Sequence, residues 1–132
     1  MGTGETINRF GIGTDIESID RFDGPECLLH SPFLNKIFTA SEQEYCFSRA
    51  TAAPHLAARF AGKEAVIKAL ASLGRFNIGY KDIEIINNQD GVPEVAIGKD
   101  GFGDLQVKLS LSHCRDNAIA FAVAIESGLR GS

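Results

Sequence analysis

The sequence predicts an α+β fold, and three observations carry that expectation. The run from Pro54 to Leu73, PHLAARFAGKEAVIKALASL, has helical punctuation, with a proline in its first turn and Gly74 just past its end. Beyond Gly74 the apolar side chains recur at every second residue, the period of strands, in four runs separated by turn residues. Ahead of the helical block, residues 7–16, INRFGIGTDI, interleave apolar residues with glycine and read as a short N-terminal strand. Helices gathered in one block and strands in another pack as α+β layers, not as alternating βαβ units.

The first strand ends in Thr14 and Asp15. An aspartate in that position ordinarily caps the helix that follows, and residues 16–23 form a short helix seated by Ile16, Ile19 and Phe22. Glu17, Asp20 and Arg21 then face outward, which makes Arg21 a candidate partner contact. Gly24, Pro25 and Pro32 mark a loop and a short helical turn ending at Ile37 and Phe38. Thr39 or Ser41 caps a helix over SEQEYCFSRA, because Thr39 with Glu42 and Ser41 with Glu44 both have capping-box spacing. Residues 50–53 link it to the long helix.

That helix, of about five turns, has unusual faces. At about 100° per residue, Leu56, Phe60, Ile67 and Leu70 form one stripe, and Ala58, Gly62, Ala65, Ala69 and Ser72 fill the opposite side. No charged outer face remains, yet Arg59, Lys63, Glu64 and Lys68 are present, and such groups are seldom buried unless paired. Glu64 and Lys68 are four apart. They form either an ordinary surface pair or two heads leaning over small residues on the floor of a cleft. The strands are DIEIIN (82–87), PEVAI (93–97), LQVKLSLS (105–112) and AIAFAVAI (118–125), expected as a meander. The last is apolar on both faces and should be central.

At 132 residues and 44% hydrophobic, the chain suits one domain, 1–132, with its core at about 7–126 and loose ends at 1–6 and 129–132. Seventeen acidic against thirteen basic residues argue against non-specific nucleic-acid binding. Three cysteines without CxxC spacing indicate neither a disulfide framework nor a zinc site, so reduced, intracellular thiols are expected. No apolar run approaches the roughly 18 residues of a membrane span, and no signal segment is visible, which points to a cytoplasmic protein. Walker and dinucleotide glycine motifs are absent, so any nucleotide is held by side chains, metal and local backbone.

Ser112 and His113 stand where a strand runs into a polar turn, a position from which side chains meet ligands. Cys114 follows His113 directly and so points away from it in extended chain, which argues against a Cys–His nucleophile. Asp15 and Glu64, far apart in sequence, are hard oxygen donors of the kind that hold magnesium together with water and substrate phosphates. Lys68, one turn beyond Glu64, would stand beside the same phosphates.

GIGTDIESIDRF, FTASEQEYC, ARFAGKEAVIKAL and LSLSHCRDNAIAFAVAIE, in that order and spacing, resemble the holo-acyl-carrier-protein synthases, the small trimeric class of 4'-phosphopantetheinyl transferases. The resemblance covers most of residues 10–126. It implies an α+β unit completed by trimerisation, with sites shared between subunits. It also implies transfer of phosphopantetheine from coenzyme A to a serine of an apo acyl carrier protein, with release of adenosine 3',5'-bisphosphate. Carried over residue by residue, Asp15 and Glu64 match the magnesium ligands and Lys68 the catalytic lysine near the pyrophosphate. Either Glu64 or a magnesium-bound water held by Asp15 would take the serine proton. Arg59, Ser112 and His113 match positions around the nucleotide, Pro93 an adenine contact, and Arg21 the docking position for the carrier's acidic helix. Gly62 and Ile67 depart from the alanine and serine common in the family, and Tyr80 is the nearest substitute for an absent aromatic before the DIE strand. A magnesium-dependent coenzyme A or nucleotide pyrophosphatase and a non-catalytic carrier-binding protein are the competing readings.

Overall fold

Alternate glycines let a strand and a helix touch backbone to backbone. The computed structural model describes residues 7–127, so the expected loose ends lie outside the described residues. In chain order it contains β1 (Ile7–Ser18), a 3-10 turn (Ile19–Phe22), α1 (Pro32–Ile37), α2 (Ala40–Phe47), α3 (Ala52–Ala71), a second 3-10 turn (Tyr80–Asp82), β2 (Ile83–Asn87), β3 (Pro93–Ile97), β4 (Leu105–His113) and β5 (Asn117–Ser127). β1, β5 and β4 form one antiparallel sheet, and α3 lies on its inner face. A Cβ on Gly11 would stand 2.2 Å from Ala69 O, and one on Gly13 2.0 Å from Ala65 O. Glycine therefore lets the β1 backbone touch the helix backbone. β5 adds Ala118, Ala120, Ala122 and Ala124, all buried, to the same layer. This close approach explains the small face of α3. Leu56 and Phe60 pack on the other side, against Phe22, Leu34 and Phe38. Gly62 marks a second near contact, since a Cβ there would lie 2.8 Å from Ile85 Cδ1.

α3 begins at Ala52, two residues earlier than expected, with Pro54 still in its first turn. Gly74, at φ 77°, ends it in a Schellman motif, in which Arg75 N donates to Leu70 O at 2.9 Å and Gly74 N to Ala71 O at 2.9 Å. Of the two candidate caps for α2, Thr39 is used: its amide donates to Glu42 Oε1 at 2.9 Å, and Glu42 N donates to Thr39 Oγ1 at 3.2 Å.

β5 is central, as expected, but the four C-terminal strands are not one meander: β2 and β3 pair only with each other. Ile83 and Ile85 bury this hairpin, and Glu42 Oε2 accepts from Ile85 N at 2.7 Å, so it follows the helices and not the larger sheet. The N-terminal expectation is corrected too. β1 stays paired with β5 as far as Ser18 opposite Asn117, so residues 16–18 are strand and Asp15 caps no helix. Period two turns Ile16 outward and brings Glu17 to the face of Asp15. The outer face of this sheet is uncovered, with Phe10, Ile12, Ile16, Ile119 and Phe121 between 47% and 64% exposed.

Beneath the hairpin, Lys63 and Glu42 form an ion pair at 2.8 Å with both side chains fully buried. Lys63 also donates to Tyr80 O at 2.8 Å and to Ile83 O. Burial holds its ammonium below the usual lysine value, with Glu42 acting in the opposite direction. All three cysteines are free thiols, Cys27 and Cys46 buried and Cys114 exposed. No helix among the described residues is long and apolar enough to cross a membrane.

Candidate functional site

The C-terminal half of β1 and the middle of α3 bring a set of charges together. Lys68 Nζ donates to Asp15 Oδ1 at 3.1 Å and to Thr14 O at 3.0 Å. Glu64 Oε2 accepts from the Tyr80 hydroxyl at 2.7 Å. The two helix residues therefore take different partners: Lys68 turns to the strand and Glu64 to the loop before β2. The ordinary surface pair between them is therefore not the arrangement that forms.

Glu17, which the sequence placed outward, stands beside Asp15. Burial, and then the neighbouring Asp15, push its carboxyl up to about 7. Arg21 Nη1 donates to Glu17 Oε1 at 2.9 Å, and its guanidinium lies 5.0 Å from the Phe60 ring centroid. Phe60 is in turn 5.4 Å from the Tyr80 ring. Burial, followed by the bond to Glu64, pushes the Tyr80 hydroxyl up to about 12.

Asp15 Oδ2 is buried and has no hydrogen-bond partner. A buried carboxylate oxygen in that condition needs a proton or a cation. Among the described residues no three His, Cys, Asp or Glu side chains converge on a metal position. A cation here would thus take only one or two carboxylates from the protein and complete its shell with water and substrate oxygens, which is the habit of magnesium. The residues fit that ion.

A second cluster lies toward the start of α3. Arg59, Pro93, Ser112 and His113, four residues singled out in the sequence, line one recess of about 200 Å³. Arg59 is only 3% exposed; its Nη2 donates to Asn87 Oδ1 at 2.7 Å, its guanidinium lies 4.2 Å from the Tyr45 ring centroid, and its Nε has no partner. The His55 and His113 rings are 5.9 Å apart. Burial, then the charge of Arg49 and of His113 and Arg59, hold His55 below its ordinary value. A cationic, aromatic recess of this kind suits a planar, phosphorylated ligand. Tyr45, His55 and Asn87 were missed in the sequence. Tyr45 lies within FTASEQEYC and His55 follows the proline of α3, but nothing local says that they meet.

Lys68 does not join this recess. It stands nine residues from Arg59, about 13.5 Å along the helix axis, and lines a separate hollow of about 490 Å³ with Thr14 and Phe121. Within one chain, the nucleotide-type recess and the carboxylate–lysine end are distinct places.

The family model of the 4'-phosphopantetheinyl transferase superfamily, ACPS, matches residues 11–123. The chain belongs to this superfamily of enzymes, among its holo-acyl-carrier-protein synthases. It is 43% identical over 116 residues to the holo-[acyl-carrier-protein] synthase of Protochlamydia amoebophila, covering 86% of this chain and 95% of the relative. The fold is similar to that of the Chronobacterium ammoniagenes ACPS–CoA complex, with a TM-score of 0.76 and 25% identity over 90% of this chain and 98% of the other. It is likewise similar to the Helicobacter pylori synthase in complex with coenzyme A, with a TM-score of 0.73 and 28% identity over 86% and 98%.

Proposed function

We propose that this chain, acting as a single domain over residues 1–132, transfers the 4'-phosphopantetheine group of coenzyme A to a serine of an apo acyl carrier protein, with magnesium, and releases adenosine 3',5'-bisphosphate. One observation carries the reading. The residues that the family motifs single out gather into two clusters of complementary chemistry, a cationic recess for a nucleotide and a carboxylate–lysine end for a pyrophosphate. The coenzyme A complexes of similar proteins support the same substrate.

Arg59, Ser112 and His113 hold the phosphorylated adenosine, and Pro93 bounds the base. Asp15 and Glu64 would hold the magnesium, which when bound orients the pyrophosphate and neutralises charge developing on its bridging oxygen. Lys68, poised on Asp15, gives a proton or a hydrogen bond to the departing phosphate. Tyr80 fixes the Glu64 carboxylate, so that the carboxylate can receive the proton of the attacking serine. Arg21 meets the acidic face of the carrier, which gives an acidic enzyme a local handle on an acidic partner. Separation of the two clusters along α3, together with the uncovered apolar outer sheet face, supports a homotrimer in which neighbouring chains complete each site. The setting is cytoplasmic.

The test is the intact mass of an apo acyl carrier protein after incubation with this protein, coenzyme A and magnesium. The expected gain is about 340 Da, one phosphopantetheine group, absent when the carrier serine is alanine and when Asp15→Ala or Glu64→Ala is used. Rapid release of the bisphosphate without a carrier would instead establish a pyrophosphatase.

A further inference from the structure

Arg21, the proposed docking residue, is not a free surface cation. It is the counter-ion of Glu17, at 2.9 Å, and Glu17 stands beside Asp15 with its side chain only 13% exposed. Arg21 is the accessible partner, at 52%, and its guanidinium rests over Phe60, whose ring also touches Tyr80. The charges around Glu17 are therefore Asp15 from its own strand, which Lys68 of α3 already pairs at 3.1 Å, Arg21 from the 3-10 turn, and Glu64, held by the Tyr80 hydroxyl, which feels both Arg21 and Glu17. An acidic surface that takes Arg21 leaves Glu17 and Asp15 side by side without that cation.

We propose that Glu17 couples carrier docking to cation binding by exchanging partners. When an acidic carrier engages Arg21, Glu17 is released to the Asp15 side and strengthens the negative field there. When a divalent cation occupies that side, Glu17 turns from Arg21 and frees it for the carrier. Linkage makes the effect reciprocal: magnesium tightens carrier binding by the same factor by which the carrier tightens magnesium binding. Glu17 is thus a positioning residue, and the inference rests on the transferase reading above.

The experiment is equilibrium binding of an apo acyl carrier protein whose acceptor serine is alanine, without coenzyme A, so that no chemistry intervenes. Binding is compared with and without saturating magnesium, at ionic strength matched by sodium chloride because bare screening would weaken the contact. The wild-type chain should bind about fivefold more tightly with magnesium, the lower end of ordinary coupling. Glu17→Gln should abolish that ratio and also tighten binding without magnesium, because Arg21 is already free; a merely structural role would not tighten anything. As a second variant at an exposed position, Arg21→Gln should raise the affinity of the chain alone for magnesium, and adding Glu17→Gln should cancel the rise. A ratio of one in the wild type, or a wild-type ratio in Glu17→Gln, overturns the inference alone. No binding of any carrier in any condition overturns the transferase reading and the inference with it.

Discussion

Replacing Lys63 by methionine tests the packing that holds the site in place. The substitution keeps the length of the side chain but removes its ammonium from a position where neither partner of the 2.8 Å pair with Glu42 is exposed. Glu42 would keep two amide donors, Thr39 N at 2.9 Å and Ile85 N at 2.7 Å, but lose its paired cation, while Ile83 O loses the ammonium donor and Tyr80 O keeps only the Ile83 amide of its two donors among the described residues. Breaking one side of such a buried pair costs about 3–5 kcal/mol. At about 4 °C per kcal/mol for a chain of this size, the melting temperature should fall by about 12–20 °C. Thermal unfolding reads the temperature shift and urea unfolding at fixed protein concentration the free-energy loss, alongside Glu42→Gln and the double variant. The double should lose less than the sum of the two singles by about 2 kcal/mol, since it leaves no lone charge. A Lys63→Met protein within about 1 kcal/mol of wild type, or singles that simply add, would refute the argument.

Three further outcomes are expected. Gly13→Ala would drive a methyl into the Ala65 carbonyl at 2.0 Å and should destabilise by about 3 kcal/mol or more, whereas Gly103→Ala, with nothing within 4 Å, should be nearly neutral in the same urea titration. Tyr80→Phe keeps the ring at 5.4 Å from Phe60 but removes the donor to Glu64; stability should change by about 1 kcal/mol and the transfer rate should fall about tenfold, so an unchanged kcat would remove Tyr80 from the orientation of Glu64. The bond from Arg75, at 2.6 Å, holds Asp104 below the usual carboxylate range, so its share of stability is present above about pH 3.8 and is lost as pH falls through its lower folded value. Asp104→Asn should therefore lower the melting temperature slightly at neutral pH and leave it almost unchanged in strong acid, which flattens the acid limb of the pH–melting curve; an unchanged neutral value with an identical acid limb would refute that role.

Periodicity and punctuation are local properties, and they located every strand and the long helix to within a few residues. The smallness of one face of α3 was legible, because side-chain volume is written in the sequence. Asp15, Glu64 and Lys68 were legible as chemistry by residue type and motif. What was not legible was the direction of each charge. Glu17 was placed outward because residues 16–23 read as helix; pairing with β5 as far as Asn117 kept them extended and turned Glu17 toward Asp15. Lys63 looked like one more charge near a cleft, until Glu42, twenty-one positions away, met it in the core. The hairpin β2–β3 stands apart from the expected meander, with Ile85 bonded to Glu42 and packed over Gly62. The elements, the small helix face and the kinds of group available for chemistry follow from local pattern, since each depends on residues within a few positions. Packing settles which carboxylate keeps an orphaned oxygen, that Arg21 is already paired, and that the recess and the lysine end lie apart on one helix. Those outcomes depend on desolvation and pairing between residues distant in the chain, and no local pattern encodes them.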